Sequence, residues 1–154
     1  MASGHQEASG RRIVVGVDGS PSSQAALVWA MRQAELAGAT VEAVMAWHYP
    51  IMINRAAWAL VTPEDEAEIE SLGATKLSEA IAEAAAPHGQ VQVRAAVRQG
   101  NAAQVLLDAA DSADLLVVGS RGHGGFAGAL LGSVSQHCVH HAKCPIVIVR
   151  DSMR

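Results

Sequence analysis

The sequence predicts an α/β protein with one open, doubly wound parallel sheet of five strands in the order 3-2-1-4-5 and helices on both faces. Short apolar, β-branched segments alternate four times with segments of helical periodicity, and a fifth apolar segment follows near the end. Parallel strands need crossover connections, and helices in those connections cover the sheet. Residues 13–17 and 115–118 are apolar throughout, so both faces of these strands should be buried.

Residues that favour or forbid helical backbone mark the helix boundaries. Ser20 followed by Pro21 supplies an N-cap and a proline in the first helical position, and residues 62–65 open a second helix with acidic residues at its positive end. Gly38 can end the first helix, Pro87 ends the second, and residues 100–101 begin the third. The fourth helix follows a glycine-rich stretch. The second helix carries an apolar stripe that is predicted to face the core, formed by Ile69, Leu72, Leu77, Ile81 and Ala84.

The composition of the strands predicts their order. The strands are residues 13–17, 41–47, 91–97, 115–118 and 146–149. The third alternates apolar and polar residues and belongs at an edge, whereas the first and fourth belong in the centre. This order leaves Ile146–Val149 at the other edge, although it is as apolar as a central strand. Because an exposed apolar edge pairs with another chain, we predict a homodimer joined along this strand.

Composition limits the classes of function. With 154 residues, half of them apolar, the chain fits one domain at 11–150 behind a disordered polar arm at 1–10. A net charge of −4 without a long basic block argues against nucleic-acid binding. No apolar run reaches the roughly twenty residues of a membrane helix, and the arm lacks the apolar core of a signal peptide. Two cysteines form no secreted-type disulfide framework, so a cytoplasmic protein is expected.

The predicted sheet order places a ligand site between the first and fourth strands. In open doubly wound sheets, ligands bind at the carboxyl ends of strands where the winding reverses. The first strand ends at Asp18, and the fourth ends at Gly119, which begins a stretch of six glycines up to Gly132. Successive backbone N–H groups and a helix N-terminus favour phosphate oxygens, and Arg121 and Ser133 can add a charge and a hydroxyl. The alternative is a flexible loop without a ligand.

The glycine spacing resembles a known family. Residues 119–133 carry the pattern G-x2-G-x9-G-S, which is similar to the nucleotide-binding signature of the ATP-binding branch of universal stress proteins. Residues 15–20, VGVDGS, resemble the first-strand motif of that family, and residues 144–149, CPIVIV, resemble its last strand. The resemblance covers residues 11–150. It implies the sheet order 3-2-1-4-5 and a homodimer.

The resemblance also implies ATP with Mg²⁺ as ligands and a role for each matching residue. Asp18 would contact the ribose or a magnesium ion beside the phosphates. The phosphates and ribose would be held by Gly119, Gly122, Gly132, Ser133 and Val134. The adenine pocket would be lined by Gly16, Val17, Met45 and Ala46. Without the glycine-rich stretch opposite, Asp18 would have the simpler interpretation of a turn residue that caps the following helix.

Other polar and apolar features have more than one interpretation. His137 and His141 lie one helical turn apart, a spacing that would allow both side chains to bind one metal ion. No zinc-type Cys-x2-Cys spacing occurs, and Cys138 falls on an apolar stripe, so surface histidines and a buried thiol are favoured. His123 is interpreted as a solvent-facing loop residue rather than a phosphate ligand. The apolar stretch at 48–61 can cover a nucleotide, contact a partner or pack on the second helix.

Two enzyme classes compete with a binding protein. A relaxed dinucleotide fingerprint occurs at 122–127, but it requires an acidic residue some twenty positions later, and none occurs between Asp114 and Asp151. Efficient phosphoryl transfer is not expected, because no Gly-x4-Gly-Lys-Ser/Thr loop is present. We therefore expect a non-enzymatic, dimeric, ATP-binding regulator in stress adaptation. The alternatives are a slow ATP hydrolase and an interaction protein with weak or no nucleotide binding.

Overall fold

Five parallel strands form one sheet in the order 3-2-1-4-5, which confirms the predicted fold class. The computed structural model describes residues 10–48, 61–122 and 131–151. The strands are β1 Arg12–Gly16, β2 Thr40–Trp47, β3 Val93–Gln99, β4 Leu115–Gly119 and β5 Ile146–Val149. The helices are α1 Pro21–Ala37, α2 Pro63–Ala85, α3 Ala102–Ala109 and α4 Ser133–His141. The arm predicted at 1–10 lies outside the described residues except for Gly10.

Two apolar layers cover the two faces of the sheet. Val15 of β1 packs with Met31 of α1 and Leu77 of α2 on one face. Val14, the neighbour of Val15, faces the other layer together with Cys138 of α4. All five side chains are fully buried, and burying a large apolar side chain stabilises the fold by about 1.5–3 kcal/mol. The helices on both faces therefore follow from the all-apolar central strands.

The third strand begins two residues later than the alternating pattern predicts. The N–H of Val91 donates to the carbonyl of His88 at 3.1 Å in the turn after α2, so Val91 is outside the ladder. The strand instead extends to Gln99, which pairs with Trp47 at the end of β2. The turn uses the N–H of Val91, which is then not available to pair with a neighbouring strand. The alternation of apolar and polar side chains does not reveal such a backbone hydrogen bond.

Capping residues set the helix ends as the sequence predicts. Ser20 caps α1, and Gly38 ends that helix with a positive φ of 65°. Thr62 and Asp65 form a reciprocal capping box at the start of α2. α4 begins after Gly132, which has no side chain with which to cap it. Across the described ranges, no helix is both long and apolar enough to span a membrane.

Candidate functional site

The winding of the sheet reverses between its two central strands. β1 pairs with β2 on one side and with β4 on the other, and all three strands are parallel. The helix that follows β1 packs on one face of the sheet, and the helix that follows β4 packs on the opposite face. The segments leaving the carboxyl ends of β1 and β4 therefore diverge, and a crevice opens between them.

A cavity of about 560 Å³ occupies this crevice, a volume within the range of small-molecule sites. The structure brings together every residue that the sequence analysis assigned to the nucleotide. These cavity-lining residues are Gly16, Val17, Asp18, Met45, Ala46, Gly119, Arg121, Gly122, Gly132, Ser133 and Val134. His123 and the rest of residues 123–130 lie outside the described residues. So does the stretch at 48–61, apart from His48, which lines the cavity, and Val61.

Asp18 takes part in the turn after β1 and also faces the glycine-rich segment. Its Oδ1 accepts hydrogen bonds from the hydroxyl of Ser20 and from the N–H of Ser20, the latter at 2.9 Å. A Cβ built on Gly122 would lie 2.5 Å from Asp18 Oδ2, so only glycine leaves the carboxylate where it is. The two interpretations of Asp18 are therefore compatible. One oxygen holds the turn, and the other lies against the segment after β4.

The end of β4 approaches the first turn of α1 very closely. A Cβ on Gly119 would lie 2.7 Å from the carbonyl carbon of Ser22 and 2.8 Å from the amide nitrogen of Ser23. The hydroxyl of Ser22 accepts a hydrogen bond from the N–H of Arg121 at 3.3 Å and donates one to the Arg121 carbonyl. Gly119 thus permits a contact that joins the start of the glycine-rich segment to α1.

A second set of hydrogen bonds joins the two ends of the glycine-rich segment. The N–H of Gly132 donates to the carbonyl of Ser120 at 2.7 Å. The buried hydroxyl of Ser135 lies 3.2 Å from the Ser120 carbonyl and 3.0 Å from the Gly132 carbonyl, so it can donate to either. The first turn of α4, which lines the cavity through Ser133 and Val134, is held against the end of β4 in this way. The positive end of the helix dipole favours an anion.

Sequence analysis missed the cavity walls that come from helices distant in the sequence. α2 contributes Ile69, Leu72, Gly73 and Lys76, and α3 contributes Ala102 and Leu106. Ile69 and Leu72 were predicted to face the core, but the structure leaves 36% and 58% of these residues exposed. Helical spacing places both residues on one stripe, but it does not show where the sheet beneath that stripe ends.

The histidines of α4 lie on its outer side, and its cysteine lies on the inner side. The rings of His137 and His141 are in contact, with 4.4 Å between their centroids. Cys138 is fully buried, and burial raises the pKa of its thiol to about 11. In the part of the chain that the structure describes, no three or more His, Cys, Asp or Glu side chains are grouped to hold a metal ion.

A family comparison supports the resemblance noted in the sequence. The model described as the universal stress protein family matches residues 10–150. The chain belongs to this family. A universal stress protein of Mycobacterium tuberculosis is 34% identical over 140 residues, which cover 91% of this chain and 45% of the relative. A Mycolicibacterium smegmatis relative is 36% identical over 138 residues, which cover 90% and 45% of the two chains. The chain thus spans about half the length of the curated relatives that it matches.

Solved universal stress proteins share the fold of this chain. One, in complex with cAMP, has a TM-score of 0.67 and 29% identity, over 93% of this chain and 98% of that one. Another, from Archaeoglobus fulgidus and in complex with dAMP, has a TM-score of 0.63 and 22% identity, over 90% and 97% of the two chains. The likeness to the latter concerns the fold alone.

Proposed function

We propose that the cavity binds an adenine nucleotide and that ATP with Mg²⁺ is its ligand in the cell. The observation that carries this proposal is the direct approach of Asp18 to Gly122 across the crevice. It places a carboxylate beside a backbone suited to phosphate oxygens, in a cavity lined by all the residues that the family resemblance assigns to the nucleotide. The 29% identical relative that was solved with cAMP supports an adenine ligand.

The charges at this end of the cavity favour phosphates together with a divalent cation. Arg121, the amide of Gly122 and the first turn of α4 supply positive potential. The carboxylate of Asp18 would repel phosphate oxygens at short range, unless a cation lies between them. Mg²⁺ prefers oxygen ligands and is commonly held by one or two carboxylates plus substrate phosphates. Asp18 is therefore the residue that we assign to a magnesium ion or to the ribose.

We propose a binding role rather than a catalytic one. The Oδ1 atom of Asp18 already accepts two hydrogen bonds from Ser20 and is engaged in holding the turn after β1. Such a carboxylate is suited to hold a cation or a hydroxyl group rather than to activate water. Slow ATP hydrolysis is the second candidate, and release of inorganic phosphate from the wild type but not from Asp18→Asn would support it. The regulatory role in stress adaptation and the cytoplasmic location stay predictions.

Heating the purified protein and analysing the released small molecules tests nucleotide binding directly. Calorimetry then compares ATP, AMP, cAMP and NAD. Gly122→Val should weaken ATP binding at least a hundredfold, because its side chain would enter the space between the loop and Asp18. Gly89→Val is a matched control, since a Cβ on Gly89 has no atom within 4 Å and the site is distant. Normal ATP binding by Gly122→Val would refute the site. A wild type that binds no nucleotide would favour the interaction protein.

We also propose that the protein forms a homodimer through the outer edge of β5. Val147 and Val149 pack against the layer that contains α1, while Ile146 and Ile148 pack against the other layer. The carbonyl of Pro145 accepts a hydrogen bond from Leu116 of β4, and that of Val149 accepts one from Ser120, the residue after β4. Alternate residues of a strand direct their N–H and C=O groups to opposite sides, so Ile146 and Ile148 direct theirs outward. A second copy would pair with these groups.

Replacing one outward N–H tests this interface. Ile148→Pro removes an outward donor and leaves the hydrogen bonds to β4 in place, so the dimer should dissociate in analytical ultracentrifugation. Ile148→Ala loses the same side chain but keeps the N–H, so it should remain dimeric. An unchanged sedimentation coefficient for Ile148→Pro would refute this interface. A charge at Val147 would be a poorer test, because this side chain faces the core.

A further inference from the structure

We propose that α2 forms the wall of the cavity that holds the nucleotide base, through the side chains of Ile69 and Leu72. This inference rests on the proposed function and assigns a second helix to its site. The large apolar residues that the described part of the chain exposes are Leu36, Ile69, Leu72 and Val139. Two of these four lie next to each other on α2, and both line the cavity. The exposed apolar surface of this helix is thus concentrated at the site.

The apolar stripe of α2 is longer than the sheet surface beneath it. Its later part, with Leu77 and Ala84, is fully buried against the sheet and α1. α2 connects the carboxyl end of β2 to the beginning of β3, so its first turns lie near the carboxyl edge of the sheet. Ile69 and Leu72 come before the buried part and therefore overhang the cavity. A ligand in the cavity would cover them.

Gly73 holds this wall close to the sheet. A Cβ on Gly73 would lie 3.2 Å from Val97 Cγ1 and 3.7 Å from Met45 Sδ, so a larger residue would require the Val97 side chain or the helix to shift by about a few tenths of an ångström. Glycine within a helix is less favourable than alanine by about 1 kcal/mol, a loss that close packing can offset. Met45 itself lines the cavity beside Gly73. Gly73 therefore sets the width of the gap between α2 and the end of β2.

The chemistry of this end of the cavity fits a base rather than a phosphate. Met45 lines the cavity on the side of α2, together with Ile69 and Leu72. Ala46 and Leu106 line it from the layer on the opposite face of the sheet. The amides suited to phosphates belong to Gly122 and the first turn of α4, which follow β4, and Lys76 is the charged residue that α2 contributes to the cavity. A flat heterocycle has two largely apolar faces, and aliphatic side chains on either side remove them from water. The wall should therefore contribute to the affinity of every adenine ligand, whatever its number of phosphates.

Calorimetry with adenosine, AMP and ATP–Mg²⁺ tests the wall. Leu72→Ala and Ile69→Ala should each lower the affinity for all three ligands by the same factor, about 5- to 30-fold. Each variant loses several methyl or methylene groups that the bound ligand would bury. Leu36→Ala is the matched control. It makes the same change on another long helix, at a leucine side chain that is 77% exposed and does not line the cavity. The affinities for all three ligands should therefore be unchanged.

Three results would overturn the proposal. Unchanged affinities in Leu72→Ala and Ile69→Ala would show that the wall does not touch the ligand. A loss for ATP without a loss for adenosine would place phosphates rather than the base against α2. A lower melting temperature without ligand, together with unchanged affinities, would show that the chain itself covers these residues. In each case the wild type still binds ATP, whereas failure of the proposed function would appear as no binding of any adenine ligand by the wild type.

Discussion

Substituting two glycines of the same signature by alanine should change stability to very different extents. At Gly119, a Cβ would meet Ser22 Oγ at 2.5 Å, the Ser22 carbonyl carbon at 2.7 Å and the Ser23 amide nitrogen at 2.8 Å. Two of these three atoms are backbone in the capped first turn of α1, so they cannot rotate away. At Gly132, the nearest atoms would be 3.5 Å away, which is an ordinary van der Waals contact.

The expected magnitudes follow from packing and chain entropy. Overpacking costs about 1–3 kcal/mol, and replacing glycine by alanine recovers about 0.4–1 kcal/mol by restricting the unfolded chain, so Gly119→Ala should lose about 1–2 kcal/mol. Gly132 has φ −72° and ψ 167°, which alanine adopts without strain, but it is also the N-cap of α4, where glycine is favoured over alanine. The two effects offset each other, so Gly132→Ala should change stability by less than about 0.5 kcal/mol. In a domain of this size, 1 kcal/mol shifts the melting temperature by about 2–4 °C.

Scanning calorimetry without nucleotide, at one protein concentration, measures both variants. The melting temperature of Gly119→Ala should fall by about 2–8 °C, and that of Gly132→Ala should change by less than about 2 °C. Equal melting temperatures for the two variants, or a larger fall for Gly132→Ala, would refute the close approach of β4 to α1. The same pair also separates folding from binding. Gly132→Ala places a methyl group 3.5 Å from the amide nitrogen of Gly122, so it should weaken the binding of ATP without loss of stability.

Three further predictions concern titration and thiol reactivity. Burial raises the pKa of Cys138 from 9.0 to about 11, so the native state keeps a proton that the unfolded chain loses. The free energy of unfolding should therefore fall as the pH rises from 9.0 to about 11, and Cys138→Ala should flatten this decline in urea titrations. Hydrogen bonds from the N–H and hydroxyl of Thr62 lower the pKa of Asp65 below 3.8. The contribution of ionised Asp65 to the free energy of unfolding is therefore present above pH 3.8 and is lost as the pH falls through the native pKa. Thr62→Ala should return the pKa of Asp65 toward 3.8 in a carboxylate NMR titration, and an unchanged pKa would contradict the capping box. With a thiol reagent at pH 8, Cys144 should react well before the fully buried Cys138 in the native protein, and equal rates would contradict the packing of α4.

The sequence predicts most of the fold because burial leaves its mark within each element. All-apolar segments identify β1 and β4 as central, and the alternating segment identifies β3 as an edge; the observed order agrees. Ser20 predicts the start of α1 for the same local reason, since a cap needs only its own first turn. The positions of Asp18 and Gly119 at the ends of neighbouring strands then predict where the cavity lies.

Only the tertiary structure decides distances between elements that are far apart in the chain. The pattern of α2 does not distinguish Leu72, which overhangs the cavity, from Leu77, which is buried, because both lie on one apolar stripe. The glycine spacing does not show that Gly119 permits contact with α1 whereas Gly132 leaves ordinary space. Periodicity records which side of an element is apolar. How closely that side approaches a neighbour depends on how all the side chains pack together.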